Sequence, residues 1–206
     1  PGEEGAGPKY QGPSGGGATY ILPGLAEANE SSVPLLAINS DISVASRGRF
    51  ALTELDQQAL FRPVTKWNRM IDHAAEIPET LRQAFRHMTT GRPGAVHIGL
   101  PFDVQQSDVD EADITADPKY GACPADRVAP DPAAIRAAAD AILAAREPIF
   151  ICGSGVAMSG AQGELAALAE ALAAPVATTV SGRNAIVDSH GLALGVIGSN
   201  GGGAQT

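Results

Sequence analysis

The side chains and loops that could do chemistry in this chain are two glycine-rich runs, four histidines and scattered carboxylates. The first run, GPSGGGATY, spans Gly12 to Tyr20, and an apolar helical pattern starts at once behind it. Glycines ahead of a helix expose backbone N–H groups, and the helix dipole favours an anion there by ~0.3–1 kcal/mol. A Walker loop would continue with Gly-Lys-Ser/Thr, whereas Ala18-Thr19 stands here. The residues alone therefore favour a tight strand-to-helix turn using glycine's positive φ over a phosphate cradle. The second run, CGSGVAMSG, spans Cys152 to Gly160 between a strand pattern and a helix pattern. A dinucleotide fingerprint has this setting, but Met158 holds the place of its third glycine. The acidic residue expected about 20 positions on is also missing. An NAD module is the weak reading, and a glycine turn beside some other nucleotide stays open.

His73, His87, His97 and His190 show no metal-ligand spacing to another His, Cys or carboxylate. His87 falls in a helix pattern and His97 in a strand pattern, which suits packing or surface roles. No GxSxG elbow is present. Cys123 and Cys152 form no CxxC pair and no disulfide framework, as expected of a reduced cytoplasmic protein. The net charge is −9 with no Lys/Arg cluster, so a nucleic-acid partner lacks its basic footprint. No apolar run reaches the ~20 residues of a membrane span, and no signal peptide is visible.

The elements that must position these groups alternate. The chain has 206 residues, 44% hydrophobic and 4% aromatic, a profile that suits closely packed α/β layers. Residues 18–29 read as a helix with Ile21, Leu22, Leu25 and Ala28 on one face. VPLLAI (33–38) and GAVHIGLP (94–101) read as strands buried on both faces. TELDQQALF reads as a short helix stopped before Pro63, and VTKWNRMI as a strand. Residues 77–90 read as an amphipathic helix ended by Gly91. A second run follows: helix 132–145, strand EPIFIC, a glycine loop, helix 161–172, strand APVATTV, and a loop into LALGVIGSNGGG. The acidic, proline-bearing stretch between the runs reads as a linker, with DVDEAD as a solvated part of it. The expected architecture is α/β: two Rossmann-like units, each a parallel sheet flanked by helices, both apparently truncated. The boundaries expected are 1–105, a linker 106–130, and 131–206. The chain starts at Pro1 without Met and closes on GGGAQT, so both ends read as cut.

Taken in order, the motifs resemble the thiamine-diphosphate-dependent enzymes, in the acetolactate-synthase-like branch. GPSGGGATYILPGLAEANESSVPLLAI is similar to that family's pyrimidine-side domain. TGRPGAVHIGLPFDV is close to its strand with GRPG and LP-DV ends. PIFICGSGV and PVATTVSGRNAIVDSHGLALGVIGSNGG look like its central domain. The resemblance covers Gly12 to Thr206. It implies thiamine diphosphate with Mg²⁺, a 2-oxo acid substrate that is decarboxylated or carboligated, and a homodimer or homotetramer with the site between subunits. The cofactor would be the electron sink, and the protein would supply orientation and electrostatics. The family holds the diphosphate and Mg²⁺ on a domain carrying GDG and a later Asn, and no GDG occurs in this sequence. Hence no metal-binding residue is assigned. The counter-reading is a catalytically silent fragment that packs and dimerises.

Several residues take roles through the resemblance alone. Glu4 is the candidate for the glutamate that activates the aminopyrimidine. Gly15, Gly16 and Gly17 would lie on the pyrimidine side. Leu52, Thr53 and Glu54 fall where acetolactate synthases carry Phe, Gln and Glu at the substrate entrance, and Lys66 near the same channel. The Leu-Thr pair changes shape and hydrogen bonding, which puts acetolactate synthesis itself in doubt. Arg92 matches an arginine that touches FAD. Gly153, Ser154, Gly155, Gly198, Ser199, Asn200 and Gly201 would border an FAD or ADP pocket.

Overall fold

The structure, a computed structural model, describes residues 9–111 and 114–198. The chain divides into two compact units, Pro1–Asp126 and Arg127–Thr206. Each carries a parallel sheet with helices against it, as the alternating pattern requires.

In the first unit the strands are β1 (Lys9–Gly12), β2 (Leu35–Asp41), β3 (Trp67–Met70) and β4 (Ala95–Pro101). They pair in the order β1-β2-β4-β3, all parallel. The helices are α1 (Leu22–Glu30), α2 (Gln57–Phe61), α3 (Ile77–Thr89) and α4 (Phe102–Gln105). Successive strand residues point to opposite faces, so each central strand feeds two cores. Leu36, Val96 and Ile98 pack with Ile71, Ala84 and Met88 beneath α3. Ala37 and Ala95 pack with Ala18, Ile21, Leu25 and Phe61 on the other face. β4 is buried at six of its seven positions, which explains its nearly unbroken apolar sequence.

Two differences from the expected elements have local causes. The helix expected over 18–29 begins as a 3-10 segment, Gly15–Ile21, before α1 takes over at Leu22. Pro23 lies in the first turn of α1, where its missing N–H costs least. The helix expected from Thr53 starts only at Gln57, because Thr53 has φ +71° and Asp56 caps the first turn by accepting from the Ala59 N–H.

Much of the expected linker lies along α3. That helix turns Thr80, Ala84 and Met88 to the sheet and leaves Ile77, Leu81 and Phe85 half-buried on its outer side. Val109, Ile114 and Tyr120 line an apolar hollow of about 680 Å³ over that outer stripe. The Ala125 N–H donates to the Thr89 carbonyl at the helix end.

The second unit has α5 (Pro132–Ala144), β5 (Phe150–Cys152), α6 (Gly155–Ser159), α7 (Gln162–Leu172), β6 (Val176–Thr178) and β7 (Ala193–Val196). The strands pair in parallel in the order β5-β6-β7. Its core is Cys152, Ala169, Val176, Ala185 and Ile186. The glycine loop expected over 153–160 contains the one-and-a-half-turn helix α6, ended by Gly160 in the left-handed region.

Candidate functional site

In an open parallel sheet, ligands bind outside the carboxyl ends of the strands. At that edge of the first unit, the Gly12–Gly17 turn and the loop after β2 come together. Gly15 has φ +58°, and a Cβ placed on it would lie 2.6 Å from the Thr53 Cβ and 2.8 Å from the Thr53 carbonyl oxygen. Ser14 Oγ donates to Thr53 Oγ1 at 3.4 Å. Two stretches expected at one site from separate parts of the sequence are therefore in contact. Gly17 packs on Pro13, while Gly16 meets nothing within 4 Å and leaves its backbone open. Gly16 is the member of the trio whose backbone a ligand could approach.

The Leu52–Glu54 loop is held from within. One Glu54 oxygen accepts from the Gly48 N–H and the other from the Ala51 N–H at 3.0 Å. Phe50 and Thr53 both sit at positive φ, costly for non-glycine residues. Phe50 and Leu52 are 99% and 92% exposed, so the loop presents an apolar tip. Beside it opens a cleft of about 510 Å³, bordered by Asp41, Arg47, Glu54, Asp56, Arg69 and Asp72 among others. Arg47 bridges Asp41 and Asp72. Buried Gln57 fixes Asp41 from behind: its Nε2 donates to the Ser40 carbonyl at 2.8 Å and to Asp41 Oδ1 at 3.3 Å. Asp41, Arg47 and Gln57 were not singled out in the sequence. Their signal is only that they follow an apolar strand and open a short helix.

Lys66 and Arg92 sit at the other edge. The Lys66 N–H donates to the Ala95 carbonyl at the start of β4. Its ammonium donates to the Thr90 and Arg92 carbonyls, and burial holds its pKa below the ordinary lysine value. Arg92 donates to Ser32 Oγ at 2.8 Å and to the Glu30 carbonyl at 2.6 Å, closing the end of α1. Strand β4 has seven residues, which puts roughly 20 Å between this edge and the Thr53 edge. Within this unit no single small-molecule site holds both Lys66 and Glu54. Substituting Arg92 with Ala should cost about 1 kcal/mol of stability, because the α1 carbonyls lose their partner. Urea midpoints of the two proteins measure this, and an unchanged midpoint would remove Arg92 from the capping role.

In the second unit, Gly153, Ser154 and Gly155 follow β5, and Gly198 follows β7. The strands are parallel with β6 between, so these residues share one carboxyl edge about 10 Å apart. Gly182 closes that edge from β6: a Cβ there would lie 2.3 Å from the Cys152 carbonyl oxygen. Glu4, Ser199, Asn200 and Gly201 lie outside the described residues. Among the described residues, no three His, Cys, Asp or Glu side chains converge as metal ligands, and no helix is long and apolar enough to cross a membrane.

Residues 135–206 match the thiamine pyrophosphate enzyme central domain. A probable acetolactate synthase large subunit of Methanocaldococcus jannaschii is 40% identical over 191 residues, 91% of this chain and 32% of that protein. The chain belongs to the thiamine-diphosphate-dependent enzyme family. The acetolactate synthase large subunit of Corynebacterium glutamicum is 37% identical across 91% of this chain and 30% of its own length. The glyoxylate carboligase of Escherichia coli O157:H7 is 34% identical across 91% of the chain and 31% of its length. The chain thus spans about a third of the length of the relatives it matches. The β5–β7 edge lies within the segment matched to that central domain.

Proposed function

We propose that this chain supplies the pyrimidine-side wall of a thiamine-diphosphate site in an enzyme that decarboxylates or carboligates a 2-oxo acid. The observation that carries the reading is the Gly15–Thr53 contact, which sets the glycine turn beside the residues expected at the substrate entrance. The open backbone at Gly16 fits the approach of a flat heteroaromatic ring. When bound, thiamine diphosphate supplies the electron sink for carbon–carbon bond cleavage and formation. This chain's own contribution is to bind and orient. Gly15 lets Thr53 close on the turn, Glu54 keeps the loop folded, and Phe50 and Leu52 give the entrance an apolar rim.

The diphosphate and Mg²⁺ would be held by a GDG-bearing domain. A second subunit, in a homodimer or homotetramer, would complete the site. FAD or ADP would lie along the carboxyl edge of β5–β7, against Gly153–Gly155 and Gly198. Leu52-Thr53 in place of Phe-Gln points to an acceptor other than that of the acetolactate synthases.

Calorimetry with thiamine diphosphate and Mg²⁺ tests the reading. The 206-residue chain alone should bind more weakly than about 0.1 mM. The same residues joined to a GDG-bearing domain should bind far more tightly. Tight binding by the isolated chain, or none by the joined protein, would overturn the assignment.

A further inference from the structure

Buried polar atoms in folded proteins nearly always have partners. Among the described residues, Asn39 Oδ1, Gln57 Oε1 and both ring nitrogens of His97 are sealed from solvent with no protein partner. These four atoms come from three residues, on β2, α2 and β4. Asn39 and His97 lie on the same face of adjacent strands, a diagonal step apart, since Ala37 pairs with His97 and Asn39 with Gly99. Gln57 and Phe61 lie one turn apart on the inner side of α2. Phe61 stacks on His97 with ring centroids 3.9 Å apart, and Gln57 is fixed over Ser40 and Asp41, next along β2 after Asn39.

The orientation of each group is constrained. Asn39 Nδ2 donates to the Pro13 carbonyl and Gln57 Nε2 to the Ser40 carbonyl, so both amide oxygens are the free ends. His97 Cε1, the carbon between the two ring nitrogens, comes 3.8 Å from where a Cβ on Gly99 would sit. The imidazole edge therefore leans along the strand towards Asn39. Met70 lies across Gly99 from β3 and borders the polar cleft above.

We propose that this seam is a built site for one internal water molecule, held by His97, Asn39 and Gln57 and closed towards the cleft by Met70. The donor count supports it. Two amide oxygens only accept, and a neutral imidazole brings one N–H and one lone pair. One water accepts the His97 N–H and donates to both oxygens, which satisfies three of the four atoms. A polar site with two to four partners is where buried water is found. The water would tie α2 to the sheet and so steady the loop that ends at Glu54. The site itself stands independently of the catalytic reading.

High-resolution crystallography and water-selective NMR on the 206-residue chain test this. The expected result is a solvent peak within hydrogen-bond distance of all three side chains. A cross-peak from His97 Hε1 to slowly exchanging water should accompany it, and both should vanish in His97→Phe. Continuous packing at this position, with no solvent peak and no cross-peak in the unsubstituted protein, would overturn the proposal. That result needs no variant to fold.

Discussion

Substituting Gly15 with Ala should destabilise the first unit by about 2–4 kcal/mol and free the loop that ends at Glu54. Two costs add. The backbone at Gly15 has φ +58°, a region that carries a penalty of roughly 1–2 kcal/mol for an L side chain. The new methyl would also fall 2.6–2.8 Å from Thr53 Cβ, Cα and carbonyl oxygen. Two of those atoms are backbone in a loop already at positive φ, so little can give way. Gly16→Ala is the internal control, since its Cβ meets nothing within 4 Å and should cost less than ~1 kcal/mol. Urea midpoints rank the two variants. Trypsin cleavage after the exposed Arg49 reads the loop directly, and should speed up in Gly15→Ala alone. Equal midpoints and equal cleavage rates for the two variants would mean that the Gly15–Thr53 approach does not hold the site.

The same contact shows what was legible in the sequence. The run GAVHIGLP became β4, because a strand buried on both faces needs side chains of one kind throughout, while VPLLAI overlaps β2, which starts at Leu35 and runs on through Asn39, Ser40 and Asp41. The α/β alternation gave the two parallel sheets for the same reason. Gly15 and Thr53 were both marked from the family resemblance, yet their contact depends on a loop conformation that no periodicity encodes. The start of α2 was placed too early, since Thr53 reads as an ordinary polar residue until its positive φ is known. The Lys66 ammonium was expected near the entrance. Its place at the opposite edge follows from strand direction and register, which a single sequence does not state. His97 was expected to pack or lie at the surface. Its burial without a hydrogen-bond partner depends on the β2–β4 register and on the stacking of Phe61 from α2, both tertiary facts.

His97 carries the second large expected effect, a loss of stability in acid. Burial alone pushes its pKa down from 6.5 to about 3. Phe61 of α2 stacks on it, and its register partners are Ala37 of β2 and Asn68 of β3, none of them charged. Asp41, two residues beyond Asn39 on that face of β2, is taken by Arg47 and Gln57. The folded state therefore keeps the ring neutral, whereas the unfolded chain protonates it below pH 6.5. Stability rises with pH wherever the unfolded state binds more protons, so the contribution is complete above pH 6.5. It falls as pH drops through the window towards 3, by up to ~1.4 kcal/mol per unit and on the order of 5 kcal/mol in all. Carboxylates titrate across part of the same range, so the measurement is a difference between proteins. His97→Phe keeps a flat ring against Phe61 and removes the titration. The gap in unfolding free energy between the two proteins should grow steadily in favour of the variant from pH 6.5 to pH 4. A gap that stays constant over that range would mean that His97 titrates alike in folded and unfolded chains, and that its ring is not sealed beneath α2.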